Sequence, residues 1–302
     1  MIYSCLHTHT ELCDGNGTVE DYCKLAHEKR FVSLGFSAHA PITKKTSLMS
    51  DWHLPDGSFD KYCFLVRTAQ KKWKDALDVY LGLEIDYIKD YIGPADDDIQ
   101  ALGLDFIIGS VHCLLPSNTS IDWTEKFMQQ KKLLCVDGSE EEFQLLITHG
   151  WNSDVFALVE SYWEAVIAMC KRGKFDILGH CDLIKRNNAD DKYFSTKDPR
   201  YLRYAEKLAC VLADSSMPIV AEVNTGGMNR GKTKEPYPSL DILKIFRKKN
   251  IPVTINADAH FPAHLGGNYD TARRALLEAG YTYFMLYEGR KNGKALWSKS
   301  QL

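Results

Sequence analysis

Short apolar, β-branched runs alternate with longer amphipathic segments along the whole 302-residue chain. The short runs predict strands at Ile2–Leu6, Ser33–Ser37, Val79–Glu84, Phe106–Val111, Asp176–Gly179, Ile219–Val223 and Val253–Asn256. The amphipathic segments predict helices at Val19–Lys29, Phe59–Lys74, Val155–Lys171, Tyr201–Ser215, Ser239–Lys249 and Tyr269–Ala279. Thr18, ahead of Val-Glu-Asp, reads as an N-cap, and Gly35, Gly82, Gly103, Gly173 and Asn250 fall at helix-to-strand turns. Seven strand-then-helix units imply parallel strands with crossover helices, either closed into a barrel or open and doubly wound. Leu114–His149, with "DGSEEEF" inside it, is the one irregular stretch. Its length predicts an excursion above the sheet's carboxyl end that shapes a pocket. No linker, repeat or low-complexity tract divides the chain, so one domain over residues 1–302 is expected.

Composition narrows the function classes. Hydrophobic residues make up 45% and charged residues 25%, the range of a soluble globular protein with a full core. A net charge of -3 provides no broad footprint for nucleic acid or an anionic membrane. There is no basic-then-apolar leader and no apolar run of membrane-spanning length, so a cytoplasmic location is expected. The nine cysteines are scattered without a C-x-x-C pair, which excludes a zinc ribbon or a thioredoxin motif and favours reduced, mostly buried thiols. Cys5, Cys113 and Cys181 lie within two residues of the histidines considered next, as packing beside a site.

Those histidines collect where the strands end. "CLHTHTELCDG" puts His7 and His9 two apart after the first apolar run, with Asp14 following. In an extended strand such side chains point the same way, so two imidazoles would converge on one point. "GFSAHAP" ends at His39, "VYLGLEID" at Glu84, "DFIIGSVHC" at His112, "FDILGHCD" at His180, and "VTINADAH" at Asp258 and His260. This is the face on which parallel barrels build their sites. The nine residues are oxygen or imidazole ligands with no thiolate needed, and a single structural zinc takes only four, so more than one divalent ion is expected.

In this order, H-x-H, His, Glu, His, His and D-x-H resemble the polymerase-and-histidinol-phosphatase (PHP) superfamily. The strings "GLEIDYI", "GKFDILGHCDLIKR", "AEVNTGG", "EPYPSLDIL" and "ADAHFPAHLG" resemble its histidinol-phosphatase branch. The resemblance spans His7 to about Tyr283. It implies an α/β fold, a distorted (βα)7 TIM-like barrel with the metal site at the C-terminal ends of the strands. It also implies two to three zinc, iron or manganese ions. His7, His9, Glu84 and Asp258 would hold the first, Glu84, His112 and His180 the second, and Asp14, His39 and His260 the third. Glu84 would bridge the first two. Asp14 stands where some branches have histidine, and Ala257 where a serine is usual.

The implied activity is phosphomonoester hydrolysis, in this branch of L-histidinol phosphate to L-histidinol and phosphate in histidine biosynthesis. Clustered cations would neutralise the phosphate and hold an activated hydroxide in line with phosphorus. Glu84, Asp258 and Arg186 are assigned to catalysis. Arg186, Lys185 and His53 are assigned to the small-molecule phosphomonoester, a guanidinium suiting phosphate oxygens better than an ammonium. No nucleic-acid or membrane partner is expected, and the oligomeric state is left open. The alternatives are another PHP-type phosphoesterase, such as a nucleotide phosphodiesterase or exonuclease, and a non-catalytic metal-stabilised barrel.

Overall fold

The structure is a computed structural model that describes residues 3–41, 52–116 and 135–302. Seven strands form one sheet: β1 (Tyr3–Cys5), β2 (Phe31–Phe36), β3 (Asp78–Asp86), β4 (Phe106–Ser110), β5 (Ile177–Leu178), β6 (Val220–Asn224) and β7 (Val253–Asn256). They lie in chain order, each parallel to its neighbour. Beyond the ends of β1 and β7, Thr8 and Ala259 form an isolated parallel bridge. The His9 N–H donates to Ala259 O at 3.0 Å and the Ala259 N–H to His7 O at 3.1 Å. That junction brings the two edges together, so the sheet is a nearly closed barrel.

The long helices are α1 (Val19–Glu28), α2 (Phe59–Trp73), α3 (Val155–Arg172), α4 (Pro199–Ala213), α5 (Leu240–Lys248) and α6 (Tyr269–Ala279). Their starts follow local chemistry. Thr18 and Asp21 form a reciprocal capping box on α1, while the Asp154 and Asp198 side chains cap α3 and α4, the latter with Pro199 in its first turn. Their buried faces pack on the outside of the sheet in one large apolar cluster. Among the described residues, no helix is long and apolar enough to cross a membrane.

Inside the barrel, Leu6, Phe106, Ile108, Ile177 and Tyr287 form a second cluster. Gly82 exists to admit Phe106: a Cβ there would lie 2.4 Å from the ring's Cζ. Gly82, Glu84 and Asp86 share one face of β3, so the strand offers space, a carboxylate and a second carboxylate in succession.

Two findings differ from expectation. The chain after α6 folds into an antiparallel hairpin, β8 (Tyr283–Lys291) and β9 (Lys294–Gln301), that the periodicity reading passed over. It sends Tyr287 against Tyr80 and Phe106 and pairs Arg290 with Asp176, lodging at the barrel interior. The excursion 114–149 is not wholly irregular either. Ser139 and Glu142 form a capping box that starts a helix at Glu140–Leu145, which runs into a π-helical turn at Leu146–Gly150. Residues 117–134 of that stretch, and Ile2 of the first expected strand, lie outside the described residues.

Candidate metal centre

Strand pairing delivers the nine expected ligands to one buried point. β1 itself ends at Cys5, and the Thr8–Ala259 bridge carries the pairing on, so that His7 and His9 sit with rings 5.1 Å apart. An isolated parallel bridge between His39 and Glu84 fixes the second loop to β3. His112 and His180 follow β4 and β5, and their rings lie 4.9 Å apart. Asp258 follows β7 in the left-handed region at φ 46°, a conformation costly for a residue with a Cβ and concentrated at functional sites. Gly226 makes this possible, since a Cβ there would meet Asp258 Oδ2 at 2.5 Å.

Glu84 lies at the centre with its two oxygens facing different histidines. Oε2 is 3.0 Å from His7 Nε2, 3.4 Å from His9 Nε2 and 3.3 Å from His39 Nδ1. Oε1 is 3.0 Å from His180 Nε2 and 3.5 Å from His112 Nε2. Asp258 Oδ1 approaches His7 Nε2 at 3.7 Å, His9 Nε2 at 3.5 Å and His260 Nδ1 at 3.3 Å. Asp14 Oδ2 meets His260 Nε2 at 2.9 Å and His39 Nε2 at 3.7 Å. Potential ligand atoms thus fall within 4.8 Å of one another in overlapping sets: His7, His9 and Glu84; His7, His180 and Asp258; Glu84, His112 and His180; and His9, Asp14, His39 and His260. These sets resemble the three expected groups, with His9 adjoining the third as well as the first.

The donors fit divalent cations. His9 Nε2, His39 Nδ1 and Asp14 Oδ1 are buried without a hydrogen-bond partner, the signature of groups whose true partner is an ion. Burial alone would raise the Glu84 carboxyl, but the His7 and His112 imidazoles and the hydrogen bond to His180 hold it well below the usual carboxylate range. Burial pushes the His39 imidazole down to about 3, so it is uncharged at physiological pH. Ionised carboxylates and imidazole nitrogen suit zinc, iron or manganese, and no thiolate enters the set.

Outside this ring stand residues the strand-end pattern did not reveal. His7 Nδ1 lies 2.7 Å from Glu222 Oε1, a partner that would hold the Nδ1 proton and leave Nε2 to face an ion at the centre. Asp86 Oδ1 does the same for His112 Nδ1 at 2.8 Å, and its Oδ2 accepts from His53 Nε2 at 3.0 Å. Two residues beyond Glu84 on the same strand face, Asp86 was findable. Glu222 lies on the sixth strand, which offered no histidine at its end to draw attention. Arg230 had no local signal; its guanidinium reaches Asp258 Oδ2 at 3.0 Å and His260 Nδ1 at 2.8 Å.

Above the centre opens a cavity of about 420 Å³, walled by Trp52, Cys135, Asp137, Leu183, Arg186 and Arg230. Arg186 lines the opening: it reaches Gly138 O at 3.4 Å and lies 3.8 Å from Asp137. Lys185 does not. Its ammonium is buried against Asp182 at 2.9 Å, Glu235 at 3.0 Å and Pro236 O at 3.0 Å, because the 3₁₀ turn Leu183–Lys185 rotates adjacent side chains apart. Nor does His53 face the opening: it is buried on Asp86, with its ring 3.7 Å from that of Trp52.

The fold and this centre define a class, a parallel barrel with a cluster of histidines and carboxylates able to hold metal ions at its strand ends. The chain belongs to the PHP domain family, which matches residues 6–226. It is 26% identical to the histidinol-phosphatase of Bacillus subtilis, over 87% of this chain and 96% of that protein. It is also 26% identical to a Deinococcus radiodurans protein named probable histidinol-phosphatase, over 91% and 92% of the two chains. Among solved structures, the hisK protein of Listeria monocytogenes superposes with a TM-score of 0.74 at 20% identity, covering 89% of this chain and 99% of that one. Histidinol phosphate phosphatase from Lactococcus lactis, solved with zinc, L-histidinol and phosphate, gives 0.63 at 18% identity over 97% and 98%.

Proposed function

We propose that this chain is a divalent-metal-dependent phosphomonoesterase that hydrolyses L-histidinol phosphate to L-histidinol and inorganic phosphate. The observation that carries the metal-dependent chemistry is Glu84, whose two carboxylate oxygens face two separate sets of histidines. The substrate rests on the relatives, two of which carry the histidinol-phosphatase name across most of both chains. In this reading His7, His9, Glu84 and Asp258 hold one ion, Glu84, His112 and His180 a second, and Asp14, His39 and His260 a third. Zinc, iron and manganese are the candidates. Divalent ions there supply positive charge to the phosphate oxygens and acidify water.

The chain's own residues do the remaining work. The walls confine the ester above the ligands, and the Arg186 guanidinium receives phosphate oxygens through charge-assisted hydrogen bonds. Arg230, lodged between Asp258 and His260, adds a second positive charge at the same floor. In the overall reaction the oxygen of water joins phosphorus, the phosphorus–alkoxide bond breaks, and the alkoxide leaves with a proton as the alcohol. Lys185 and His53 are given no substrate contact, since each is committed to a buried carboxylate. The reaction is assigned to the cytoplasm, where amino-acid biosynthesis runs.

Phosphate release from histidinol phosphate, measured beside a dinucleotide and a simple aryl phosphate, tests the assignment. Histidinol phosphate should have the highest kcat/KM. Preferred cleavage of the dinucleotide would move the chain to a nucleic-acid phosphoesterase. No turnover of any of the three by metal-reconstituted protein would leave a non-catalytic barrel.

A further inference from the structure

Beside the metal centre, two thiols face each other and have no part in the chemistry above. Cys113 directly follows the candidate ligand His112, and Cys135 opens the wall that leads to Asp137 and Gly138. They form an isolated antiparallel bridge, with their Sγ atoms 2.7 Å apart. The Val136 N–H donates to His112 O at 2.8 Å, one residue outside the pair on each side. That makes Cys113 and Cys135 the facing pair without mutual backbone bonds, in which side chains approach most closely. Closing the gap to a disulfide bond length of about 2.05 Å requires a sulfur movement of well under an ångström.

The two sulfurs also differ in access. Cys135 lines the cavity, whereas Cys113 lies behind it, buried between β4 and the wall. A small oxidant entering from solvent therefore meets Cys135 first.

We propose that Cys113 and Cys135 are a redox modification site, forming a reversible disulfide with a peroxide as oxidant and locking the cavity wall to the strand that carries His112. With hydrogen peroxide, the Cys135 sulfur takes one oxygen as the O–O bond breaks, and one water leaves. The Cys113 sulfur then displaces the hydroxyl from Cys135, the S–S bond forms, and a second water leaves. Two thiols are oxidised, one peroxide is reduced to two waters, and a dithiol reverses the reaction.

The lock acts on more than the pair. Asn187 donates to the carbonyls of Val136 and Gly138, each at 3.2 Å, and Arg186 reaches the same Gly138 carbonyl. A covalent tie at residue 135 thus anchors the segment against which the phosphate-facing arginine rests. The inference stands independently of which phosphoester is cleaved, because it rests on thiol geometry alone.

The test uses the full-length, metal-loaded protein, incubated with hydrogen peroxide and mapped by non-reducing peptide mass spectrometry. A single linked peptide joining Cys113 to Cys135 is expected, removed by dithiothreitol. By constraining the unfolded chain, a disulfide closing a loop of this length should raise the melting temperature by roughly 3–8 °C, and reduction should return it. Cys113→Ser and Cys135→Ser should each abolish both the linked peptide and the rise. Oxidation confined to other sulfurs, such as the exposed Cys210, with residues 113 and 135 still reduced, would overturn the site. A linked peptide without a thermal shift would overturn the lock.

Discussion

Glu222→Gln probes the centre without replacing any proposed ligand. The side chain is buried, and all four of its partners are donors. Oε1 accepts from His7 Nδ1 at 2.7 Å and Asn256 Nδ2 at 2.9 Å; Oε2 accepts from the His180 N–H at 3.0 Å and Asn224 Nδ2 at 2.8 Å. A glutamine has the same shape but one acceptor and one donor. Whichever way the amide lies, its NH₂ confronts two donors. Neither asparagine can turn over to accept, because Asn256 Oδ1 is held by the Leu6 N–H at 2.7 Å and Asn224 Oδ1 by the Gly226 N–H at 2.7 Å. The conflict is relieved most cheaply if His7 keeps its proton on Nε2 and not Nδ1, and that removes the lone pair it would offer an ion beside Glu84. Replacing an orienting partner of a metal-bound imidazole costs about ten- to a hundredfold in metal affinity, or roughly 1.4–2.8 kcal/mol. Zinc and manganese affinities, measured by competition with a calibrated chelator, should fall by that factor while circular dichroism stays native. Activity should return when metal is added in excess. Wild-type affinity in a folded Glu222→Gln protein would refute the idea that this carboxylate sets the His7 tautomer.

Protein purified without chelator should contain two to three zinc, iron or manganese ions per chain by elemental analysis; one or fewer after supplementation would end the multinuclear reading. Glu84→Gln removes the charge shared by both histidine sets, and turnover should fall by orders of magnitude with the fold retained, so near-normal turnover would place the bridge elsewhere. Arg186→Ala should lower kcat/KM roughly ten- to a hundredfold through the loss of charge-assisted hydrogen bonds worth about 1.5–3 kcal/mol each. Metal content should not change, and Arg186→Lys should recover only part of the loss because a point charge cannot replace the fork.

How much of this was readable before folding depends on how local each signal is. The seven strands were legible because parallel strands buried on both faces are continuous apolar runs, and most of their bounds differ from the expected ones by only a residue or two. The hairpin was legible and passed over: "RKNGKAL" contains the Asn-Gly of a two-residue turn, and Asn292 and Gly293 take the positive φ of 51° and 75° that such a turn demands. Glu84 and the strand-end histidines were legible because such side chains are chemically unusual where parallel strands stop, the place a barrel builds its site. The groups around them did not, for a physical reason. Glu222 orients His7, which is 215 residues away in sequence. Arg230 pairs with Asp258 across a barrel junction, and Lys185 is drawn from the cavity by Glu235, a neighbour only after folding. Adjacent cations such as Lys185 and Arg186 look alike in a sequence; which one meets the substrate depends on where the buried counter-charges fall. Asp182 and Glu235 take the lysine, and Asp137, at 3.8 Å on the cavity wall, leaves the arginine at the opening. The phosphate-binding role proposed for Arg186 is therefore set by the placement of these three carboxylates as much as by the cation, and Asp182→Asn should loosen the lysine before it disturbs any of the proposed metal ligands.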